Sequence, residues 1–396
     1  MAMDWPPIGT VPRTWTPRPE GLAATSRRAR RSVPASYPTA VVPPIAHTAV
    51  GLSGDLAADL DEATRLLTAF DAGGAGEVAP FAAILLRSES AASSHIENLT
   101  SSARALAEAA IGAGDRSNAL SILANVRTMQ AAMDLAGDLD EASILAMHRA
   151  LMTGQSQLRP GRWREEQLWI GGSGLHPGDA DFVPPVAGDV PALMADLSSF
   201  LARDDVPPLA LAALGHAQFE TIHPFTDGNG RTGRALLHAS LVNTGVIHRV
   251  TVPISAGLLV EKGRYFSALT SYRGGDAAPI LRCVAQAART GVAVGERLVA
   301  RLRQVRAEWD DRVSARADSA VWRIADLVLR QPVVTAKLVT AELDVSAPTA
   351  QAALARLVEA EVLVESTGWR RNRVYRSPEV LEALDGYAES LGHRSR

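Results

Sequence analysis

The chain has 396 residues, too long for one average domain, and 47% of them are hydrophobic, so two or three domains with sizeable cores are expected. Its 40 basic residues against 43 acidic ones give a net charge of −3, which excludes a generally basic nucleic-acid-binding coat but leaves a local basic patch open. The single cysteine, Cys283, excludes an intramolecular disulfide. No apolar run approaches the ~20 residues that span a bilayer, and the N-terminus has no apolar core of signal-peptide type. We therefore expect a cytoplasmic protein without a membrane partner.

The N-terminal residues 1–45 hold nine of the 23 prolines and a cluster of arginines, Arg27, Arg28, Arg30 and Arg31. Proline at this density breaks helices and favours extended backbone. The composition predicts an extended arm over 1–45 that lies on the next domain or is partly disordered. A nucleic-acid contact through the arginine cluster is the alternative.

The next 250 residues are mainly helical in their apolar spacing. Glycines follow several of the segments, as helix stops should. One region, 162–185, is instead aromatic, β-branched and glycine-rich, which predicts a small hairpin over about 165–185. The predicted helical segments are 53–70, 77–97, 101–112, 117–136, 139–153, 188–203, 207–222 and 230–244.

The C-terminal part changes character after a long helix predicted over 279–316, of which 301–318 would connect two domains. Three helices follow, two of them opened by Thr335 and Ser346, which are suitable N-caps. Two β-like pairs then flank a loop with Arg370, Arg371 and Arg373. Three helices and a basic hairpin are typical of a winged helix-turn-helix domain, predicted over 319–380 with a tail at 381–396.

Residues 223–234, His-Pro-Phe-Thr-Asp-Gly-Asn-Gly-Arg-Thr-Gly-Arg, combine several chemistries at a predicted helix–loop–helix junction. A helix N-terminus holds phosphate through its free N–H groups, and Gly228 and Gly230 let the backbone approach an anion closely. Asn229 could add a side-chain donor. Arg231 and Arg234 share a helix face and could grip outer phosphates. Thr232 and Gly233, between them, complete the predicted phosphate site.

Two further residues of this segment indicate catalysis. Asp227 is the kind of ligand that Mg²⁺ takes together with phosphate oxygens. His223 titrates near neutral pH and can accept a proton from an attacking hydroxyl. Phe225 is expected to point into the core and hold the loop.

The whole segment resembles the signature of the Fic family, His-x-Phe-x-(Asp/Glu)-Gly-Asn-Gly-Arg-x-x-Arg, and the resemblance extends over roughly residues 35–300. The segment from Tyr37 to Pro43-Pro44-Ile45 resembles the entry into the family's domain, and Trp169-Ile170-Gly171-Gly172 to Val183-Pro184-Pro185 resembles its flap hairpin. The resemblance implies a mainly α protein: an N-terminal helical region at 46–112 and a Fic-type core at 113–300, followed by the winged helix.

The resemblance also implies an activity, the Mg²⁺-dependent transfer of AMP from ATP to a hydroxyl of a target protein or of the chain itself. His223 would be the base and Asp227 the metal ligand. The segment Gly228–Gly230 would hold the anion, and Arg231 and Arg234 the β- and γ-phosphates. The intact Gly-Asn-Gly segment argues against a branch of the family that phosphorylates its targets.

Two other segments resemble parts of the family. Tyr265-Phe266 and the segment beginning at Arg273 resemble the region that contacts the nucleoside, although Asn is common where Arg273 stands, and core packing is an equal alternative. Ser93 and Glu97, on one face of a helix, resemble the inhibitory motif (Ser/Thr)-x-x-x-Glu-(Gly/Asn). By that resemblance the helix over about 77–98 inhibits the enzyme through an ion pair of Glu97 with Arg234.

Several questions stay open at this level. The exposed edge of the flap can bind an extended segment of an unidentified target protein. Removal of AMP, transfer of another nucleotide, and a DNA-binding regulator with the core as a sensor are the alternatives. The sequence does not decide whether the winged helix binds DNA or a protein. It does not decide whether the chain forms a homodimer either.

Overall fold

The computed structural model describes residues 5–15, 35–73, 79–172, 176–366 and 373–392 and is mainly helical. The elements of the first half are β1 (Gly9–Thr14), β2 (Ser36–Val41), α1 (Gly54–Ala72), α2 (Ala79–Ile96), α3 (Ala103–Ala110), α4 (Ser117–Asp134), α5 (Glu141–Leu151), α6 (Val190–Leu201) and α7 (Pro208–Ile222). Those of the second half are α8 (Asn229–Asn243), α9 (Ile254–Val260), α10 (Lys262–Arg273), α11 (Ala278–Arg312), α12 (Ala320–Arg330), β3 (Val333–Thr335), α13 (Ala336–Leu343), α14 (Ala347–Glu359), β4 (Val364–Glu365), β5 (Val374–Arg376) and α15 (Pro378–Gly392).

Every segment predicted as a helix contains one, and three helices were not predicted: α9, α10 and α15. Residues 381–392 of the predicted C-terminal tail lie in α15. This helix is anchored because Glu379 pairs with Arg312 at 2.7 Å and Val380, Leu381 and Leu391 are buried. No helix among the described residues combines the length and the apolar character needed to cross a membrane.

The chain divides into two compact units, of which the first comprises residues 1–61, 131–244 and 263–284. Its centre is the pair of helices α7 and α8. Every residue from Leu209 to Ile222 is buried. A Cβ on Gly233 of α8 would lie 2.9 Å from a ring carbon of Phe219 in α7, so the two helices approach too closely for any side chain there.

The described residues of the N-terminal arm, 5–15 and 35–45, belong to this first unit and include two paired strands, in agreement with the extended backbone predicted. Strands β1 and β2 are antiparallel, with Gly9 opposite Val41 and Thr14 opposite Ser36. The backbone N–H of Ile8 donates to the carbonyl of Arg273 at 3.0 Å, which ties the arm to the end of α10. The arginines at 27–31 lie outside the described residues.

The second unit comprises residues 62–130, 245–262 and 285–396. Two buried carboxylates organise it by accepting backbone N–H groups. Asp71 accepts from residues 248, 249 and 250 at 2.9, 2.8 and 2.9 Å, and Glu89 accepts from the N–H of Ser255 at 2.8 Å. These four bonds connect α1 to residues 248–250, which lead into α9, and α2 to the first turn of α9.

The C-terminal part of the second unit has the element order α12, β3, α13, α14, β4, β5. Strand β5 lies between β3 and β4 in an antiparallel sheet, with Arg376 opposite both Val333 and Val364. The predicted caps are present, because the Thr335 and Ser346 hydroxyls accept from the N–H groups of Leu338 and Thr349. Arg370 and Arg371 lie outside the described residues.

The end of α2 is closed by a left-handed residue. Asn98 has a φ of 63°, the N–H of Leu99 donates to the carbonyl of Ser94 at 3.0 Å, and the N–H of Asn98 donates to His95 at 2.9 Å. This pair of bonds is the Schellman motif, in which the left-handed position favours Gly or Asn. The requirement for a Gly or Asn after Glu97 is therefore explained by the helix cap alone. It does not require a role of this residue in catalysis.

We predict that Asn98→Ala lowers the free energy of unfolding by about 1 kcal/mol, because alanine is strained in the left-handed region, whereas Asn98→Gly leaves it nearly unchanged. Urea unfolding of the three proteins measures the difference. Equal stability of the Ala and Gly variants would contradict the assignment of this cap.

Candidate active site

His223 terminates α7 in a left-handed conformation. Its φ and ψ are 52° and 62°, and its N–H donates to the carbonyl of Phe219 at 2.9 Å. Left-handed backbone is uncommon for a non-glycine residue and persists only where surrounding contacts determine it. The chain reverses here, so that the side chain of His223 stands at the start of the loop rather than on the helix.

Arg164 supplies the contacts that hold this reversal. Its side chain is 2% exposed and donates to the carbonyl of His223 at 2.9 Å, of Pro185 at 2.6 Å and of Ile222 at 3.4 Å. The N–H of Arg164 donates to the carbonyl of Pro224 at 2.9 Å. One guanidinium therefore joins the flap region to the end of α7. Sequence reasoning missed Arg164, because an isolated arginine gives no signal of burial.

The loop that follows His223 is closed by Asn229. The side-chain carbonyl of Asn229 accepts the N–H of Phe225 at 2.8 Å, and its amide donates to the carbonyl of Phe225 at 2.7 Å. This side chain therefore holds the loop, a role that was not predicted. Its predicted role as an anion donor stays a prediction, because the amide has a second hydrogen to donate. Phe225 is fully buried, as predicted.

His148 of α5 contacts the same loop through its ring and one ring nitrogen. The sequence analysis missed this residue as well. Its ring stacks on Phe225 with centroids 3.7 Å apart. Nδ1 accepts the N–H of Gly161 at 3.1 Å, so the proton is on Nε2, which donates to the carbonyl of Asp227 at 3.2 Å. Burial lowers the pKa of His148 to about 4, which keeps this tautomer neutral at pH 7.

The predicted anion cradle lies at the start of α8. The first intrahelical bond of α8 runs from the Thr232 N–H to the Gly228 carbonyl at 3.0 Å, so the N–H groups of Asn229 and Gly230 precede the ladder and point out of the helix end. Gly228 has a φ of 76°, and a Cβ there would lie 2.4 Å from Met152, so only glycine fits. Helix N-termini of this kind attract phosphate.

Asp227 meets the requirements for a single carboxylate ligand of Mg²⁺. Its side chain is 53% exposed, and Oδ1 accepts the N–H of Gly228 at 2.7 Å and lies 3.7 Å from Arg231. No cluster of three or more His, Cys, Asp or Glu residues occurs within the described part of the chain. A lone exposed carboxylate beside a phosphate cradle suits Mg²⁺, which commonly takes one or two protein carboxylates and fills its shell with phosphate and water.

The imidazole of His223 is neutral at physiological pH. Burial, together with the positive charges of Arg164 and Arg273, lowers its pKa to about 3. A neutral imidazole can accept a proton. The nearby guanidinium of Arg273 lies 3.8 Å above the ring of Phe182 and donates to the carbonyl of Glu220 at 3.3 Å.

The predicted nucleoside contacts do not lie together on one surface. Tyr265 is 1% exposed, and its hydroxyl is 2.8 Å from Nε2 of His216, so it is a core residue, unavailable for stacking on a base. Phe266 is 46% exposed and can still contact a ligand. Arg273 lies close enough to His223 to lower its pKa, and its predicted contact with the nucleoside stays a prediction.

The remaining residues of the predicted phosphate site differ in exposure. Thr232 is fully buried, and Gly233 packs against α7, so both have a packing role, and their predicted contact with phosphate stays a prediction. Arg231 and Arg234 are 5% and 3% exposed. Arg234 also bonds to the hydroxyl of Tyr265 and is therefore part of a buried network.

The predicted inhibitory residues lie in the second unit. Ser93 is fully buried near the end of α2, and Glu97 follows the helix in the turn closed by Asn98. Since α2 ends at Ile96, the shared helix face of Ser93 and Glu97 stays a prediction.

The predicted hairpin at 165–185 contains one antiparallel bridge within its described residues. Ile170 donates to the carbonyl of Phe182 at 2.8 Å and accepts its N–H at 3.2 Å. Gly171 has a φ of 74°, and a Cβ there would overlap Asp181. Residues 173–175 lie outside the described residues.

The comparisons with known proteins agree on one family. Residues 138–241 match the family model described as Fic/DOC family, and this segment contains His148, Arg164 and the whole of 223–234. A protein named protein adenylyltransferase Fic from Nematostella vectensis is 32% identical over 146 residues, which are 36% of this chain and 31% of that protein. The Drosophila melanogaster protein of the same name is 30% identical over 151 residues, 37% of this chain and 28% of its own. The match thus spans less than a third of either relative's length.

A solved structure adds a likeness of fold. The Fic family protein from Desulfovibrio desulfuricans G20 superposes with a TM-score of 0.56 at 22% identity. The superposition covers 85% of this chain and 98% of that one.

We predict that the protein loses stability as the pH falls from about 6.5 towards 4. Burial lowers the pKa of His148 and His238 to about 4 and of His216 to about 3. Between about pH 6.5 and these values the unfolded chain binds more protons than the native chain, so stability falls as the pH falls. Their contribution is fully present above the unfolded pKa of about 6.5. Each such histidine adds at most about 1.4 kcal/mol per pH unit to the slope.

Urea unfolding at pH 7, 6 and 5 measures this slope. His148→Gln should make it shallower, whereas His47→Gln, at an exposed position, should leave it unchanged. A slope in the His148 variant equal to that of the wild type would contradict the assignment.

Proposed function

We propose that the protein is a Mg²⁺-dependent protein adenylyltransferase that transfers AMP from ATP to hydroxyl side chains, because residues 138–241 match the Fic/DOC family model. The observation that carries this proposal is the geometry of one loop. A neutral His223, the outward N–H groups at the start of α8 and the carboxylate of Asp227 all belong to residues 223–230. The adenylyltransferase names of the relatives support the choice of reaction.

The reaction divides among these residues. The N–H groups of Asn229 and Gly230 would hold the phosphates, and His223 would accept the proton of the target hydroxyl as its oxygen attacks the α-phosphorus. The bond from the α-phosphorus to the bridging oxygen breaks, and pyrophosphate leaves. Positioning and charge stabilisation contribute most of the rate in such transfers. Mg²⁺, held by Asp227, would neutralise phosphate charge when bound.

We propose that the target protein binds as an added strand along the flap, because an exposed strand edge pairs with many sequences through main-chain bonds. One side of this region is already used, since the N–H of Ala40 in β2 donates to the carbonyl of Val183 at 3.0 Å. The described contacts therefore place the arm and the flap side by side. The identity of the target protein does not follow from this geometry.

The C-terminal element order, α12 to β5, supports the proposal of a winged helix-turn-helix domain over 319–380. Of its basic loop, Arg373 is described, and it pairs with Glu365 at 3.3 Å. DNA binding by this domain, a protein partner for it and removal of AMP by the core stay predictions of the sequence.

We predict that His223→Asn lowers the rate of nucleotidyl transfer by at least ~100-fold, the usual contribution of a general base, and changes ATP affinity little. Asparagine tolerates the left-handed conformation of this position better than alanine, so the loop should persist. The assay measures labelled AMP on protein, and calorimetry measures ATP binding. The control is His47→Asn; undiminished transfer by the His223 variant would refute the proposed base.

We further propose that Glu97 inhibits transfer, as the resemblance of Ser93–Asn98 to the inhibitory motif implies. Glu97→Gly and Glu97→Gln should both raise autolabelling by roughly 100-fold, because a small misalignment of reacting groups costs about that much in rate. Glu97→Gly combined with Arg234→Ala should stay inactive if the released arginine is needed. Equal labelling by wild type and both Glu97 variants would remove the inhibitory role and leave the transferase proposal standing.

A further inference from the structure

The second unit contains an apolar cavity of about 440 Å³ that the proposed transferase reaction does not use. It lies against α2, α3 and α15, and its walls are predominantly aliphatic and alanine side chains. Pockets of 300 to 1,000 Å³ that are lined mainly by apolar groups with a few placed polar groups are typical of small-molecule sites. The α2 side is formed by Ile84, Arg87, Ser88, Ala91, Ala92 and His95.

One charge in this wall lacks a counter-ion. The guanidinium of Arg87 is largely buried, and its hydrogen bond goes to the carbonyl of Arg330 at 2.8 Å. No carboxylate of the described residues forms an ion pair with it. Burial and the positive charge of Arg330 both lower the pKa of Arg87. Repulsion by Arg330 therefore adds to the free-energy cost of burying the charge of Arg87. A buried arginine is ordinarily paired.

The other charged groups of the lining are already engaged or lie at its margin. Arg330 pairs with Glu342 at 2.7 Å. Asp385 accepts the N–H of Ala103 at 2.9 Å, at the start of α3. Glu389 is exposed. The cavity therefore offers one cationic fork, the guanidinium of Arg87.

A second polar group of the lining is also unsatisfied. The hydroxyl of Tyr387 in α15 is buried and has no hydrogen-bond partner among the described residues. Buried polar atoms without partners are rare in native structures and call for an explanation such as a ligand or water. Arg87 in α2 and Tyr387 in α15 are thus two potential donors in the lining of one cavity.

We infer that this cavity is a binding site for an amphiphilic monoanion, a carboxylate with an unbranched aliphatic tail of about ten carbons. A carboxylate matches the two-pronged guanidinium of Arg87, and the apolar walls match the tail. The site lies wholly in the second unit, so it does not depend on the proposed nucleotide chemistry.

The test uses decanoate below its micelle-forming concentration and isothermal titration calorimetry on the full chain without nucleotide. The wild type should bind one decanoate saturably, and octanoate about tenfold more weakly, because each buried methylene contributes similarly. Arg87→Met, which keeps the length of the side chain, should weaken decanoate by 10- to 100-fold, the usual range for a charge-assisted bond. The exposed Arg127→Met should bind like the wild type.

Neutral 1-decanol separates recognition of the charge from burial of the tail, since it should bind wild type and Arg87→Met alike. If Arg87→Met does not fold, Ala91→Trp fills the same wall and should abolish binding. The absence of saturable binding to wild type, or equal decanoate affinity in wild type and Arg87→Met, would overturn the inference. Either result would leave the transferase proposal untouched, because no ATP is present.

Discussion

The position of His223 depends on one buried guanidinium. Arg164 donates to carbonyls at 185, 222 and 223, and these carbonyls belong to two segments that are distant in sequence. A buried carbonyl that loses its hydrogen-bond donor raises the free energy by about 1–3 kcal/mol. Arg164 therefore orders the chain reversal and stabilises it against opening. The pKa of Arg164, lowered to about 10 by burial, leaves it fully charged at pH 7.

The loop after His223 is fixed by the same kind of bond. Asn229 holds Phe225 at both its N–H and its carbonyl, and His148 holds the carbonyl of Asp227. Neither a disulfide nor a metal is needed for this rigidity. These hydrogen bonds between side chains and the backbone fix the loop. They keep the carboxylate of Asp227 and the start of α8 at fixed positions relative to His223.

The sequence predicted the helices and the loop well because both have local signals. Apolar spacing marks α7, and the glycines and polar residues of 223–234 mark the loop. The helix α10 was missed, although its buried residues Tyr265, Ala268, Leu269 and Tyr272 have helical spacing. The roles of Asn229, His148 and Arg164 could not be predicted in the same way. Each depends on a partner that only the fold brings near, such as the carbonyl of Pro185, 21 residues from Arg164.

The electrostatics of the site bear on how His223 can serve as a base. A pKa of about 3 leaves the imidazole neutral, but so weak a base accepts a proton poorly at neutral pH. Part of the lowering comes from the charges of Arg164 and Arg273, which repel the protonated form. A bound triphosphate would offset those charges, and opposite charges raise the pKa of an imidazole. The basicity of His223 would then increase when a polyanionic substrate is in place, so proton transfer would depend on the presence of that substrate.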